Sequence, residues 1–322
     1  KVKMGDREEV GSIGGAKMIL LEFQNRVIQE TLRTRFRSAA TGEGKVKMVD
    51  VTVADFDGCK YHISNPEGGN PGIILVSISL QYYHELQAHG VDEFLATEYG
   101  SLFDKPEDGY NATLRIDLTA TKPEDSEKII DQVSKLKRNC FAAVFDKYFA
   151  LQQGGGDGAD GHPAIINYRP QESMYIAAYG DRVTVVFSTV FTDDDDIVLG
   201  KVFLQEFKEG KKGNQSAPHV LFSHKDPPRE LGDVPGAVTG ENVGYITFVL
   251  FPRHVDPKHS AHTVDLIHQF RDYLHYHLKC SKAYLHTRMR ARTSSLLQVL
   301  NRAKPESTIK QRKTISGKSF VR

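Results

Sequence analysis

The chain has 322 residues, 39% hydrophobic and 26% charged, a composition typical of globular proteins that bury a core in one large or two ordinary domains. Its formal net charge of +1 gives no whole-molecule attraction to nucleic acid or to a membrane surface. The 3 cysteines are far apart, which argues against a disulfide framework or a thiolate zinc site, and no apolar run reaches the roughly 20 residues that span a bilayer.

The first half of the chain is predicted to contain strands between two long helices. Residues 1–17 are polar, aperiodic and without the apolar stretch of a signal peptide, so we expect a disordered extension and a reducing compartment rather than secretion. Residues 18–40 carry apolar side chains at helical spacing. Strands are predicted at 48–53, 61–63, 73–80 and 112–118, with a short helix near 83–98 and a long helix from Pro123 to about Leu151.

The second half repeats this arrangement after a glycine-rich stretch. Residues 154–163 are predicted to be a linker. Strands follow at 164–168, 174–178, 182–190, 197–207, 219–223 and 244–251, and a helix at 260–304 contains no Gly or Pro. The fold class is therefore α+β, with two α/β domains at 18–153 and 164–304, each a mainly antiparallel sheet packed on a long helix, and a basic tail at 305–322.

The last predicted helix is longer than its own domain requires. Forty-five residues would extend about 68 Å, whereas a sheet of five or six strands covers only part of that length. The distal turns would then expose five apolar residues unless another protein covers them, namely Leu285, Met289, Leu296, Leu297 and Leu300. The partner-helix interface is predicted at four of these, Leu285, Met289, Leu296 and Leu300. The alternative is a helix that breaks near Thr293-Ser294-Ser295 and folds back on its own core.

The sequence offers one catalytic look-alike. Val51-Thr52-Val53-Ala54-Asp55-Phe56-Asp57-Gly58 resembles the first motif of haloacid-dehalogenase-type phosphatases, in which Asp55 would be the nucleophile and Asp57 the acid–base. The preceding strand alternates polar and apolar residues as an antiparallel strand does, and both Asp55–Asp57 and the cluster at 193–196 suit hairpin turns. We therefore predict no enzyme, no cofactor and no metal site, and we expect the C-terminal histidines to be packing or capping residues.

Charge is unevenly distributed along the chain. Residues 253–322 hold 15 basic and 4 acidic residues, so the segment has a net charge of +11 while the remainder has −10. Such a segment could bind an acidic protein polymer, anionic lipid or nucleic acid. No aromatic platform is interleaved with the charges, which disfavours nucleic acid.

Long strings of the sequence, in order along the chain, resemble the 34 kDa subunit family (subunit 2) of the actin-related protein 2/3 complex. They are MILLE at 18–22, YHISNP at 61–66, LKRNCFA at 136–142, DRVTVVFST at 181–189, GYITFVLFPRH at 244–254, FRDYLHYH at 270–277, KCSKAY at 279–284 and VLNRA at 299–303. Residues 1–17 have no counterpart in that family, and 154–161 are unusually rich in glycine.

The resemblance implies a non-enzymatic scaffold within a complex that nucleates actin branches. It implies pairing through long helices with subunit 4, contact with the mother actin filament, association with the remaining subunits including the two actin-related proteins, and a cytoplasmic location at the cortex and cell projections. Nucleotide would be bound by the actin-related subunits and not by this chain. The basic residues expected at the filament are Arg288, Arg290, Arg292, Arg302, Lys304, Arg312 and Lys313.

Overall fold

A computed structural model describes most of the chain: residues 22–41, 48–66, 68–155, 163–191, 193–210, 217–232, 234, 236–302, 312–313 and 319–320. The predicted extension at 1–17, most of the linker at 154–163, Lys304 and most of the tail at 305–322 lie outside these residues. By its internal contacts the chain forms two units. The first unit is 1–275 and holds both large sheets, and the second unit is 276–322.

The first sheet has five antiparallel strands in the order β1-β2-β3-β5-β4. Its strands are β1 (Asp50–Ala54), β2 (Lys60–Ser64), β3 (Ile73–Ser79), β4 (Phe103–Asp104) and β5 (Ala112–Asp117). Its helices are α1 (Arg26–Thr41), α2 (Tyr83–Gln87), α3 (Val91–Tyr99), α4 (Ser126–Ser134) and α5 (Leu136–Gln153). One face carries buried residues such as Tyr61, Val76 and Leu114, while the opposite face carries polar side chains, because successive residues of a strand point to opposite faces.

The second sheet has the same strand order as the first, β6-β7-β8-β10-β9, and is also antiparallel throughout. Its strands are β6 (Ala164–Arg169), β7 (Glu172–Tyr179), β8 (Arg182–Val190), β9 (His219–His224) and β10 (Val243–Leu250). Its helices are α6 (Asp194–Gly210), α7 (Pro252–Val255) and α8 (Ser260–Arg302). In each half a three-stranded meander leads to helix, an edge strand, an inserted fifth strand and a closing helix. The predicted α+β architecture, with antiparallel sheets and a long C-terminal helix, is confirmed.

The predicted strand at 197–207 is wrong, because this segment is helix α6. The β-branched and aromatic residues favoured a strand, but the segment also has helical spacing, since Gly200 and Leu204 are buried four residues apart. The acidic cluster begins the helix instead of forming a hairpin turn. Asp194, Asp195 and Asp196 occupy its first turn, where carboxylates interact favourably with the helix dipole.

Two other predicted helices are interrupted. The segment near 83–98 forms α2 and α3, which are separated by a turn that ends at Gly90. The φ of Gly90 is 86°, a left-handed backbone conformation that glycine adopts more readily than other residues. The helix predicted from Pro123 to Leu151 begins as a single 3₁₀ turn, Pro123–Asp125, and is divided at Lys135 into α4 and α5. The two-residue edge strand β4 was not predicted, because two residues are too few for a periodic pattern.

Helix α5 lies in the interior of the first unit. Twelve of its 18 residues are buried, and it contacts α3 as well as β7 and β8 of the second sheet. The guanidinium of Arg138 is paired with Asp265 of α8 at 2.7 Å, and the Phe141 ring lies 4.8 Å from the His268 ring. On α8 the Phe270 ring meets Phe248 of β10 edge-on, with 4.8 Å between centroids. This half of α8 therefore packs on the second sheet and on α5.

The C-terminal helix is unbroken over its 43 residues, equivalent to about 64 Å. The alternative in which it breaks near Thr293 is wrong. The Thr293 hydroxyl donates a hydrogen bond of 2.9 Å to the Met289 carbonyl, so the residue is accommodated within the helix. Among the described residues, none of the helices has both the length and the apolar character needed to cross a membrane.

Candidate interaction surface on the C-terminal helix

Residues 279–302 of α8, here called the distal helix, differ from the rest of the described chain in burial. None of these residues is buried, and all but the half-buried Lys282 are exposed, whereas the preceding turns contain buried residues up to Leu278. The segment has six basic residues and no acidic residue. It therefore presents both apolar and cationic side chains to the surroundings.

The four predicted partner-helix residues form one stripe on the distal helix, here called the apolar stripe. Leu285, Met289, Leu296 and Leu300 are 46%, 65%, 60% and 51% exposed. At about 100° per residue their positions fall within an arc of roughly 60°. A contiguous apolar stripe of this kind is typical of a surface that another helix covers.

Sequence reasoning missed two exposed residues of the distal helix. Val299 is 59% exposed and borders the apolar stripe, and Tyr284 is 60% exposed. The Tyr284 hydroxyl accepts a 2.6 Å hydrogen bond from Arg288, whose guanidinium also lies 5.5 Å from the centre of the ring. The i, i+4 spacing of the two residues was the available signal.

The predicted filament-binding residues do not share one face. At about 100° per residue, Arg288, Arg292 and Arg302 fall within an arc of roughly 80° on one flank of the apolar stripe, whereas Arg290 lies on the other flank, about 110° from the centre of the stripe. In the part of the chain that the structure describes, no carboxylate lies within ion-pair distance of these four arginines. Lys304 lies outside the described residues. Arg312 and Lys313 form the short strand β11, which pairs with β12 (Ser319–Phe320), and only their backbone is described.

The two aspartates of the phosphatase-like motif form separate ion pairs with basic residues of other segments, and they do not form a catalytic pair. The Asp55 carboxylate is 3.6 Å from the ammonium of the buried Lys137, and Asp57 is paired with Arg169 at 2.7 Å. Asp57 and Gly58 both have positive φ in the turn that follows β1, and β1 itself is an antiparallel edge strand. A phosphatase of that class requires a buried parallel strand at this position.

Two histidines of the first unit, His254 and His268, make packing or hydrogen-bond contacts within the fold. Burial, together with the cations Lys137 and Arg138, lowers the pKa of His268 to about 3, while Asp57 opposes this shift. The Nδ1 atom of His254 accepts a hydrogen bond of 2.9 Å from the Phe251 amide. Among the described residues, no three His, Cys, Asp or Glu side chains are placed to hold a metal ion.

Fold and surface together define a class of protein: two antiparallel five-stranded sheets of matching topology with their helices, and a long C-terminal helix whose second half carries an apolar stripe and basic residues. Residues 76–307 match the family described as Arp2/3 complex, 34 kD subunit p34-Arc. The chain is 41% identical to actin-related protein 2/3 complex subunit 2 of Schizosaccharomyces pombe, over 95% of this chain and 100% of that protein. It is also 41% identical to the Dictyostelium discoideum protein of the same name, over 94% of this chain and 99% of that protein.

The chain belongs to this 34 kDa subunit family of the Arp2/3 complex. Members of the family are structural subunits, so the chain is a structural subunit of that complex and not an enzyme. The resemblance found in the sequence is confirmed.

Proposed function

We propose that this structural subunit uses its distal helix for two contacts at once, one with a partner subunit and one with the mother actin filament. The observation that carries the proposal is that the distal helix has no buried residue, although it is apolar on one side and carries basic residues on both flanks of that side. The two kinds of side chain require different partners, because apolar residues gain from being buried and arginines gain from carboxylates.

The apolar stripe is proposed to pack against the long helix of subunit 4. Burying its four side chains is worth about 6–12 kcal/mol before the cost of ordering the partners. The continuity of α8 through Arg302 supports a helical partner, because a straight stripe on one helix is matched by a similar stripe on another. The remaining subunits, including the two actin-related proteins, would assemble around this pair.

The basic residues are proposed to face the acidic side of the mother filament during branched nucleation. The candidates are Arg288, Arg290, Arg292, Arg302, Lys304, Arg312 and Lys313. Binding of the same residues to anionic lipid or nucleic acid is the competing possibility. Nucleic acid is disfavoured because Tyr284 is the single Phe, Tyr or Trp residue in the sequence of the distal helix, so no series of aromatic rings is interleaved with its basic residues.

We further propose that residues 18–153 and 164–304 form two α/β domains, the second of which carries the long C-terminal helix. The matching strand order of the two sheets supports this division. As an actin-binding part of the complex, the chain would be found in the cytoplasm, at the actin cytoskeleton of the cell cortex and projections.

Charge reversal of Arg288, Arg290 and Arg292 to Glu tests the filament contact in the assembled complex. Co-sedimentation with actin filaments should weaken by at least about tenfold while assembly persists, because three attractive contacts become repulsive. The matched control reverses Lys122, Lys128 and Lys258, three exposed lysines of the first unit. Unchanged filament binding by the arginine variant would remove these three residues from the surface, and loss of binding to anionic vesicles alone would favour the lipid alternative.

A further inference from the structure

A second feature lies on the polar face of the first sheet, away from the distal helix. The imidazole of His62, on β2, lies between two carboxylates from different parts of the chain. Its Nε2 atom is 2.9 Å from Asp50 of the edge strand β1, and its Nδ1 atom is 2.9 Å from Glu107 of the loop between β4 and β5. The Tyr110 ring of the same loop stacks on the imidazole at 5.4 Å and an interplanar angle of 13°.

The Glu107 side of this cluster is more firmly held than the Asp50 side. Glu107 also accepts a hydrogen bond of 2.8 Å from the Ser77 hydroxyl, and its amide donates to the Thr113 hydroxyl at 2.9 Å. Its side chain is 28% exposed, whereas that of Asp50 is 86% exposed. The ring thus joins a well-anchored loop to an edge strand that has a single neighbouring strand.

Both contacts are hydrogen bonds donated by the ring only when the ring carries two protons. A neutral imidazole has one N–H, so it can donate to only one of two carboxylates, and its bare nitrogen would then face the other carboxylate. Because Glu107 has additional partners and is less exposed, the proton that is lost is the one facing Asp50.

We propose that doubly protonated His62 clamps the edge strand β1 to the sheet and that loss of its proton loosens this strand, which makes the edge of the first sheet sensitive to pH. The β4–β5 loop stays in place, since Ser77 and Thr113 continue to hold it. The clamp is thus a conformational switch at one edge of the sheet.

The charges around the ring set the direction of the response. Burial lowers the pKa of His62, but the hydrogen bonds and charges of Asp50 and Glu107 outweigh burial and raise the pKa above its ordinary value of 6.5. The other charged side chains nearby in the register or on the same loop are Lys60 on β2, Arg115 on β5 (3.9 Å from Asp104) and the exposed Lys105 and Asp108. Because the pKa is raised, the clamp is complete below about pH 6.5 and is lost as pH rises through the raised value.

Hydrogen exchange of the assembled complex between about pH 6 and pH 8.5 tests the proposal, after correction for the chemical pH dependence of exchange. Protection of the β1 amides should fall by up to about fivefold with rising pH, the range expected for loss of an exposed ion pair. Protection of the Glu107–Asn111 amides should change less. His62→Gln should remove the pH response at β1, whereas the control His84→Gln, whose side chain is 75% exposed, should retain it.

A flat wild-type response, or a His62→Gln response equal to that of the wild type, would overturn the proposal. If His62→Gln prevents assembly, Asp50→Asn decides the matter, because it removes only the exposed carboxylate. That variant should have low, pH-independent protection at β1 and an unchanged loop, and retention of the wild-type pH response at β1 would overturn the proposal equally.

Discussion

The closing helices of the two sheets, α5 and α8, occupy equivalent places in the same topology but differ in length and burial. Helix α5 ends after 18 residues, twelve of them buried. Helix α8 has 43 residues, and burial ceases after Leu278. A five-stranded sheet is only about 24 Å wide, so a helix of α5's length is sufficient to cover it. The additional turns of α8 are therefore not needed to cover its own sheet, which agrees with the contacts proposed for them.

The largest expected effect comes from changing the apolar stripe. Replacing Leu285, Met289, Leu296 and Leu300 together with Gln should weaken assembly with the other subunits by more than about 100-fold, because several kcal/mol of apolar burial are lost. Co-purification of the subunits after co-expression measures this effect.

Leu297→Gln is the matched control for the stripe. Leu297 is 51% exposed, similar to Leu300, but it lies roughly 120° around the helix from Leu285. Assembly should persist in this variant. If Leu297→Gln disrupted assembly as strongly as the fourfold variant, the contact would surround the helix and would not follow one stripe.

A smaller effect is expected when single apolar residues of the two closing helices are compared. Phe145→Ala on α5 should destabilise the fold by about 3–5 kcal/mol, because the side chain has no exposed surface and its removal leaves a cavity. Leu296→Ala on the distal helix should leave the stability of the first unit unchanged. Urea-dependent proteolysis of this chain within the complex would report both values, and equal destabilisation by the two variants would show that the distal helix supports the fold.

Most features of the sheets and of the long C-terminal helix could be predicted from the sequence. Strand β8 lies at its predicted bounds, and the length of the C-terminal helix and its exposed leucines followed from helical spacing and the lack of Gly and Pro. The error at α6 arose because Val198, Val202 and Phe203 suit a strand as well as a helix, and only tertiary contacts, such as that between Phe203 and Tyr273, distinguish the two.

Sequence reasoning about the candidate surface has the same limit, because spacing along the chain does not show which side chains are in contact. Helical periodicity placed the apolar stripe on one side, and the i, i+4 spacing of Tyr284 and Arg288 is compatible with a contact, but spacing alone does not show that this contact forms. The clamp at His62 was beyond sequence reasoning altogether, because Asp50, His62 and Glu107 are brought together only by the register of the sheet and the path of a loop.

The smallest expected effect is a change in acid stability, and it concerns two histidines of α8, one in each half of the helix. His268 has a pKa lowered to about 3 by burial, whereas His286 is exposed on the distal helix. A pKa lower in the folded than in the unfolded chain means that the unfolded chain binds more protons, so stability should fall as pH decreases from about 6.5 towards 3.

His268→Gln should shift the acid-unfolding midpoint of the chain to lower pH by a few tenths to about one unit. His286→Gln should leave that midpoint where it is, because the substituted side chain is exposed on the distal helix and is not part of the packed core. Acid unfolding followed by proteolysis of the chain in the complex measures the difference, and coincident midpoints for wild type and His268→Gln would mean that the half-buried His268 ring does not contribute to acid sensitivity.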